Sequence, residues 1–281
     1  MKKRIWTIFF LSLSCFSLCV STPVRADDIV WNLGISSGDW NNASSWINAS
    51  GGSQRVPAGS DHGLLLTDNS SRTVNYNSTG PAFELLNIGA PSGIPDSPYS
   101  GTMTLNITGG VFRTTGAQDT VGGTGRGVVN QTGGSYITDG STVSSGGTLV
   151  IGSETTGIGT YNLSGTGSLS STGFQMVGGN GTGTFTQSAG SNTVGTTLYV
   201  GWGASSSGTY NLSGTGSLVV SLNETVGNNG AGVFNQSGGA NTISGKLYIA
   251  RWAGSSGVYN LSGGTLDANG GIVNNGTFIQ G

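Results

Sequence analysis

The chain has 281 residues, of which 53 are glycine and only 22 are Asp, Glu, Lys or Arg, for a net charge of −2. That is far more glycine and far less charge than an ordinary globular enzyme carries. It excludes a charge-dense nucleic-acid or membrane-surface binder, while apolar residues at regular spacing exclude a wholly disordered chain.

Residues 1–26 read as a secretory signal peptide. Lys2, Lys3 and Arg4 form a basic start, Ile5 to Val20 is an apolar run broken only by Thr and Ser, and Val24-Arg25-Ala26 supplies small residues for cleavage. The run is short for a membrane span and carries serines. Cys15 and Cys19 both lie inside it, and Ser12 and Phe16 do not suit a lipoprotein cleavage site. The expected mature chain therefore starts at Asp27 with no cysteine, no disulfide and no thiolate metal site. It keeps six basic and twelve acidic residues, a net charge of −6. No nucleic-acid partner, no membrane span in the mature chain and no cofactor are expected.

Residues 27–100 do not fit the repeat that follows and are expected to form a cap. They contain WNLGISSGDWNNASSW, with Trp31, Trp40 and Trp46, and most of the prolines. The first turn of a stacked β fold exposes apolar side chains and unpaired backbone, which three tryptophans are suited to cover. The competing reading makes Trp31, Trp40 and Trp46 an exposed platform for carbohydrate contact. His62 is the chain's one histidine and has no Asp or Glu at ligand spacing in the sequence, so it reads as a surface residue.

From residue 101 to 281 the chain repeats. GTYNLSGTGSL occurs identically from Gly159 and from Gly208. Aligned on it, eight copies centre on Asn106, Asn130, Asn162, Thr186, Asn211, Asn235, Asn260 and Ile279. The steps from Asn162 to Asn260 are 24 or 25 residues. A step of 32 after Asn130 implies a loop inserted around Thr138 to Gly147, and a step of 19 at the end implies a shortened turn. Each copy alternates with period two, as strands do. A strand centred on Ile151, Val177, Val200, Val226 or Ile249 precedes the YNL-type strand, and one centred on Leu169, Val194, Leu218, Ile243 or Leu266 follows it. The expected fold is all-β: a right-handed parallel β-solenoid with about three short strands per turn of 24–25 residues and an N-terminal cap. A propeller blade needs about 40 residues.

Alternate turns differ. One type carries Tyr161/Leu163, Tyr210/Leu212 or Tyr259/Leu261; the other carries Phe185/Gln187, Phe234/Gln236 or Phe278/Gln280. Gln175, Glu224, Asn192 and Asn241 belong to the second type alone. The pairing is either a device that fixes register or the trace of a duplicated 49-residue unit. The aromatics are expected inside and Asn162, Asn211, Asn235 and Asn260 outside. Inward Gln187 and Gln236 then need partners, and Gln175 and Glu224 are the candidates.

The GDWNNASSW stretch, followed by turns of the GTYNLSG and GTFTQS kind, resembles bacterial secreted β-strand-repeat proteins, whose repeats occur in autotransporter passengers and PEP-CTERM surface proteins. The resemblance runs from Trp31 to the end of the sequence. It implies export, a β-solenoid stalk and a secreted or cell-surface setting. The chain ends at GTFIQG, partway through an expected turn and without the barrel or sorting segment those proteins use.

Chemistry is sparse. Asp119 and Asp139, near Arg113 and Arg126, form the one charged cluster and read as solvated loop. From residue 141 onward the charged residues are Glu154, Glu224, Asp267, Lys246 and Arg251. None pair as the carboxylates of a glycoside hydrolase must. VGGTGRG from Val121 lacks the lysine of a phosphate loop. Thr160/Asn162, Thr184/Thr186 and Thr209/Asn211 form outward rows, but Val233 and Val258 interrupt what an ice-binding face would need. The expected function is non-enzymatic: a structural or adhesive protein presenting a Ser/Thr/Asn face to extracellular polymers or surface proteins. The alternative is a carbohydrate-binding or carbohydrate-active β-helix.

Overall fold

The computed structural model describes residues 27–49, 51–66, 69–89, 100–140 and 146–281. The expected signal peptide lies outside them, as do residues 141–145 of the loop expected around Thr138 to Gly147.

Strand alternation, combined with a glycine corner after each short run, folds the chain into long parallel sheets. An 11-stranded sheet stacks segments from Asp28–Trp31 to Ile272–Asn274. A 15-stranded sheet holds two further ladders, joined through the long strands Ala231–Ile243 and Ser256–Ala268. The sheets make three ladders: a first through Leu149, Gln175, Leu198, Glu224 and Leu247, a middle through Tyr161, Phe185, Tyr210, Phe234 and Tyr259, and a third through Leu169, Asn192, Leu218 and Asn241. This is the layout of a β-solenoid. Apart from a three-residue 3-10 turn at Ala43–Ser45, all regular structure among the described residues is strand.

The corners need glycine for a specific reason. Gly152 has φ +69°, and a Cβ there would lie 2.2 Å from the carbonyl oxygen of Thr182 in the next turn. A side chain at this place would push the next turn away.

The core is one continuous column of buried apolar side chains from Ile29 to Tyr259. Tyr161, Phe185, Tyr210, Phe234 and Tyr259 all point inward, as expected. Their rings stack at 4.6–4.9 Å between centroids, within 4° of parallel. That separation is the spacing between neighbouring strands, so register sets the stacking. Phe278 joins the ladder in register with Tyr259, at 5.5 Å.

The ladders also reach below residue 101. Asp28–Trp31, His62–Leu65 and Leu85–Ile88 continue the first ladder in parallel, and Ser37–Asp39 and Arg72–Tyr76 continue the middle one. The N-terminal segment hides this in sequence because its side chains do not follow the repeat. The one antiparallel pair among the described residues is Trp46–Asn48 on Asp28–Trp31, which closes the first edge of the sheet.

Candidate functional site

The three tryptophans expected either to cap or to bind sugar are buried. Trp31 and Trp46 are 0% exposed and Trp40 is 1%. Trp31 meets Trp46 edge-on at 5.2 Å, and Trp40 meets Trp46 at 4.6 Å and Phe112 at 4.8 Å. The indole N–H of Trp46 donates to the Trp40 carbonyl at 2.8 Å, and that of Trp31 to the Ile35 carbonyl at 3.1 Å. No ring face is left for a sugar. The carbohydrate-contact expectation for Trp31, Trp40 and Trp46 is corrected for that reason.

The charged cluster expected at Asp119 and Asp139 divides between the two faces of the wall. Asp139 stays outside, ion-paired with Arg113. Asp119 lies on the strand Gln118–Val121 and points into the core, not into a solvated loop. Its carboxylate accepts from the backbone N–H of Leu86 at 2.7 Å, from the Tyr136 hydroxyl at 2.9 Å and from the Thr114 hydroxyl. Burial pushes its pKa up to about 6, against the lowering effect of those donors. His62 is partly exposed, in keeping with the surface position expected, but it has a carboxylate neighbour. The parallel ladder brings its Nδ1 to 3.0 Å from a carboxylate oxygen of Asp28, a pairing across turns that sequence spacing does not reveal.

Asp119 and Tyr136 start a series. Gln175–Asn192 and Glu224–Asn241 repeat the same pairing of first-ladder and third-ladder residues, each 17 positions apart. Gln175 and Asn192 exchange two hydrogen bonds, at 2.8 and 2.9 Å. The inward glutamines find other partners than those expected. Gln187 accepts from the Tyr210 hydroxyl of the next turn at 2.7 Å and donates to the carbonyls of Gly190 and Ser217. Gln236 accepts from Tyr259 at 2.6 Å and donates to the Thr265 carbonyl at 2.7 Å. Gln131, which the sequence reading did not single out, does the same with Tyr161 at 2.5 Å and with Ser168. The signal was present as Val129-x-Gln131, a polar turn with valine in place of phenylalanine.

The alternation of turn types therefore has a bonding role. Each tyrosine of an apolar turn donates to the glutamine of the polar turn beneath it, so a one-turn slip would strand both. Asn192 and Asn241 also donate to the hydroxyls of Tyr210 and Tyr259, at 3.2 and 3.1 Å.

Glu224 is the exception within the series. Asn241 donates to one of its oxygens at 3.0 Å, while the other Glu224 oxygen and the Asn241 carbonyl oxygen are both buried without a partner. In the Gln175–Asn192 pair the corresponding places hold an N–H and its acceptor. A proton on Glu224 supplies the missing donor. Burial pushes the Glu224 pKa up to about 8, so the neutral acid takes the part that glutamine plays two turns below. The titratable groups facing it are the Tyr210 and Tyr259 hydroxyls, themselves pushed up by burial.

Outside, Asn75, Asn106, Asn130 and Asn162 form one amide row, in which Asn106, Asn130 and Asn162 each donate to the side-chain oxygen of the asparagine in the turn beneath at 2.9–3.0 Å. Thr186 interrupts it, and Asn211, Asn235 and Asn260 resume it at 2.8–2.9 Å. Among the described residues, no group of three or more His, Cys, Asp or Glu is placed to hold a metal ion. No helix among them is long and apolar enough to cross a membrane. Compared with family models, curated proteins and solved structures, the chain matches none.

Proposed function

We propose that this is an exported structural or adhesive protein of the secreted β-strand-repeat kind: a right-handed solenoid of three short strands per 24–25-residue turn that presents a Ser/Thr/Asn face to extracellular polymers or surface proteins. The observation that carries the reading is the division of polar groups. Amides and carboxyls inside the wall are bound to one another and to backbone. The outer Asn row keeps a half-exposed amide on turn after turn at the strand spacing. Such a surface suits many weak, repeated contacts with a polymer rather than one reaction centre.

The buried carboxyls fit this reading better than a catalytic one. Asp119 and Glu224 face the core, while Glu154 sits in an outer corner, so they do not share a cleft. The test is an immobilised-polymer and glycan array probed with residues 27–281. Retention that falls when Asn162, Asn211 and Asn235 are changed together to Asp, with the strand dichroism unchanged, supports the proposal. Polysaccharide turnover that vanished with Asp119→Asn would replace it with the carbohydrate-active alternative. A high-resolution density map with a left-handed coil would overturn the assigned hand.

A further inference from the structure

The outer surface of the first ladder differs from the Asn row. Its outward positions run Val150, Met176, Tyr199, Thr225, Tyr248 and Val273 in register, and of these Val150, Tyr199 and Thr225 are buried. At the corner that follows, Trp202, Asn228 and Arg251 hold the same place in three successive turns, as their backbone bonds to Gly178, Gly201 and Gly227 show. Two aromatic groups result, two turns apart. In the lower one Tyr199 meets Trp202 edge-on at 4.4 Å, with Phe174 at 5.8 Å from Tyr199. In the upper one the Arg251 guanidinium lies 4.7 Å from the centre of the Tyr248 ring and 5.2 Å from that of Trp252. Trp252 is 54% exposed, the largest exposure among the big apolar side chains of the described residues. A pocket of about 290 Å³ opens beside it, lined by Ala250 to Ser255 and Asn275.

Two features mark this corner as more than a loop covering a sheet. Ala250 has φ +54°, the sole non-glycine residue with positive φ among those described, where the turns beneath place Gly152, Gly178, Gly201 and Gly227. Strained backbone of this kind concentrates at binding sites. In addition, Arg251 forms no ion pair among the described residues, in a chain with twice as many acids as bases after Asp27. Its guanidinium is held between two rings with its N–H edge uncommitted.

We propose that this face binds an extended glycan carrying carboxylates, a uronic-acid polymer. Trp252 and Trp202 supply ring faces for the apolar faces of pyranose units. Their corners are two turns apart, about 9.6 Å at the strand spacing, which is close to two sugar units of an extended chain. Arg251, already oriented by its two rings, presents a planar fork to a carboxylate. Asn275, exposed at the rim of the pocket, is a hydrogen-bonding group for hydroxyls, while the buried Asn228 braces the corner by donating to the Trp202 carbonyl at 3.2 Å. The site goes beyond the scaffold reading and does not depend on the Asn row.

Calorimetric titration of residues 27–281 with oligogalacturonate, beside the same oligomer as its methyl ester, tests the proposal. Binding of the acid form is expected, weakened about tenfold or more by Trp252→Ala and by Arg251→Gln. The methyl ester is expected to bind the wild type as weakly as the acid form binds Arg251→Gln. Trp252 and Arg251 lie on the surface, so both variants should keep the wild-type melting transition, and Arg251→Lys should restore only part of the affinity. No heat of binding with the acid form, or binding unchanged in Trp252→Ala, overturns the site. Equal binding of acid and ester overturns the ligand class. None of these outcomes touches the scaffold proposal, which is read from the Asn162, Asn211 and Asn235 variants.

Discussion

The N-terminal turns and the regular turns share ladders but are held together by different means. Around residues 27–89, large unlike rings pack mostly edge-on: Trp40 alone meets Trp46, Tyr76 and Phe112 edge-on and Phe83 at a tilt, at 4.6–6.2 Å. Charges reinforce them, with Arg55 bridging Asp27 and the buried Asp61, and Arg72 donating to the Leu33 carbonyl. From residue 158 to 261, like rings stack face to face and amides pair with amides. The difference follows from position. An interior turn meets nearly identical turns above and below, so one solution can be repeated. The first turn meets a repeat on one side and, among the described residues, no further turn on the other, so it needs a closing strand and shapes of its own.

Substitutions can break this comparison, and Trp40→Ala should do so most severely. Removing the ring at the centre of the cap cluster is expected to cost about 4–5 kcal/mol. Because solenoid stability is nearly a sum of neighbouring terms, hydrogen exchange should rise first at Trp31, Trp46 and Tyr76 while Tyr210 and Phe234 stay protected. Uniform loss of protection along the chain would show that cap and repeat melt as one unit.

Phe234→Ala opens the ring ladder between Tyr210 and Tyr259 and is expected to cost about 3 kcal/mol, read by denaturant unfolding. A smaller loss than that of Asn235→Ala on the opposite face would contradict the inward stacking.

Glu224→Gln should sharpen the comparison by making the polar turn match its Gln175 counterpart. The sign follows from linkage. A carboxyl at about 4.5 when unfolded and about 8 when folded binds more protons in the native state between those values. Its contribution to stability is whole below about 4.5 and declines as pH rises to about 8, after which the cost is constant. The glutamine variant should therefore melt near the wild type at pH 4 and above it at pH 9, by on the order of 2 kcal/mol. Parallel pH profiles for the two proteins would refute a buried neutral acid.

Asn235→Ala should have the smallest effect, about 0.5–1 kcal/mol, since it removes half-exposed amide bonds to Asn211 and from Asn260 that water can replace.

Much of the repeat was legible in the residues themselves. Period-two alternation in GTYNLSG and its kin assigns Tyr161 inward and Asn162 outward, because strand geometry leaves no other choice once the large apolar group is buried. The recurrence of Gly, or of Ala at 250, at each corner and the steps of 24 and 25 residues likewise predict stacked parallel strands. The sequence also distinguishes two kinds of turn. What it could not determine is who bonds to whom across turns. Gln187 and Gln175 are both inward and in the same turn, yet Gln187 takes Tyr210 and Gln175 takes Asn192, because side chains reach along the axis as readily as across it. Asp119 read as solvent-facing because its neighbours are polar, and only the ladder shows that it shares the place of Leu149, Gln175 and Glu224. The same holds for residues 27–89, where no repeat is visible and backbone pairing alone carries the ladders on. The aromatic corner at Tyr199, Trp202, Tyr248, Arg251 and Trp252 was likewise invisible as a unit. Its members are up to 53 residues apart in sequence, and only the coiling of the chain sets them on one face.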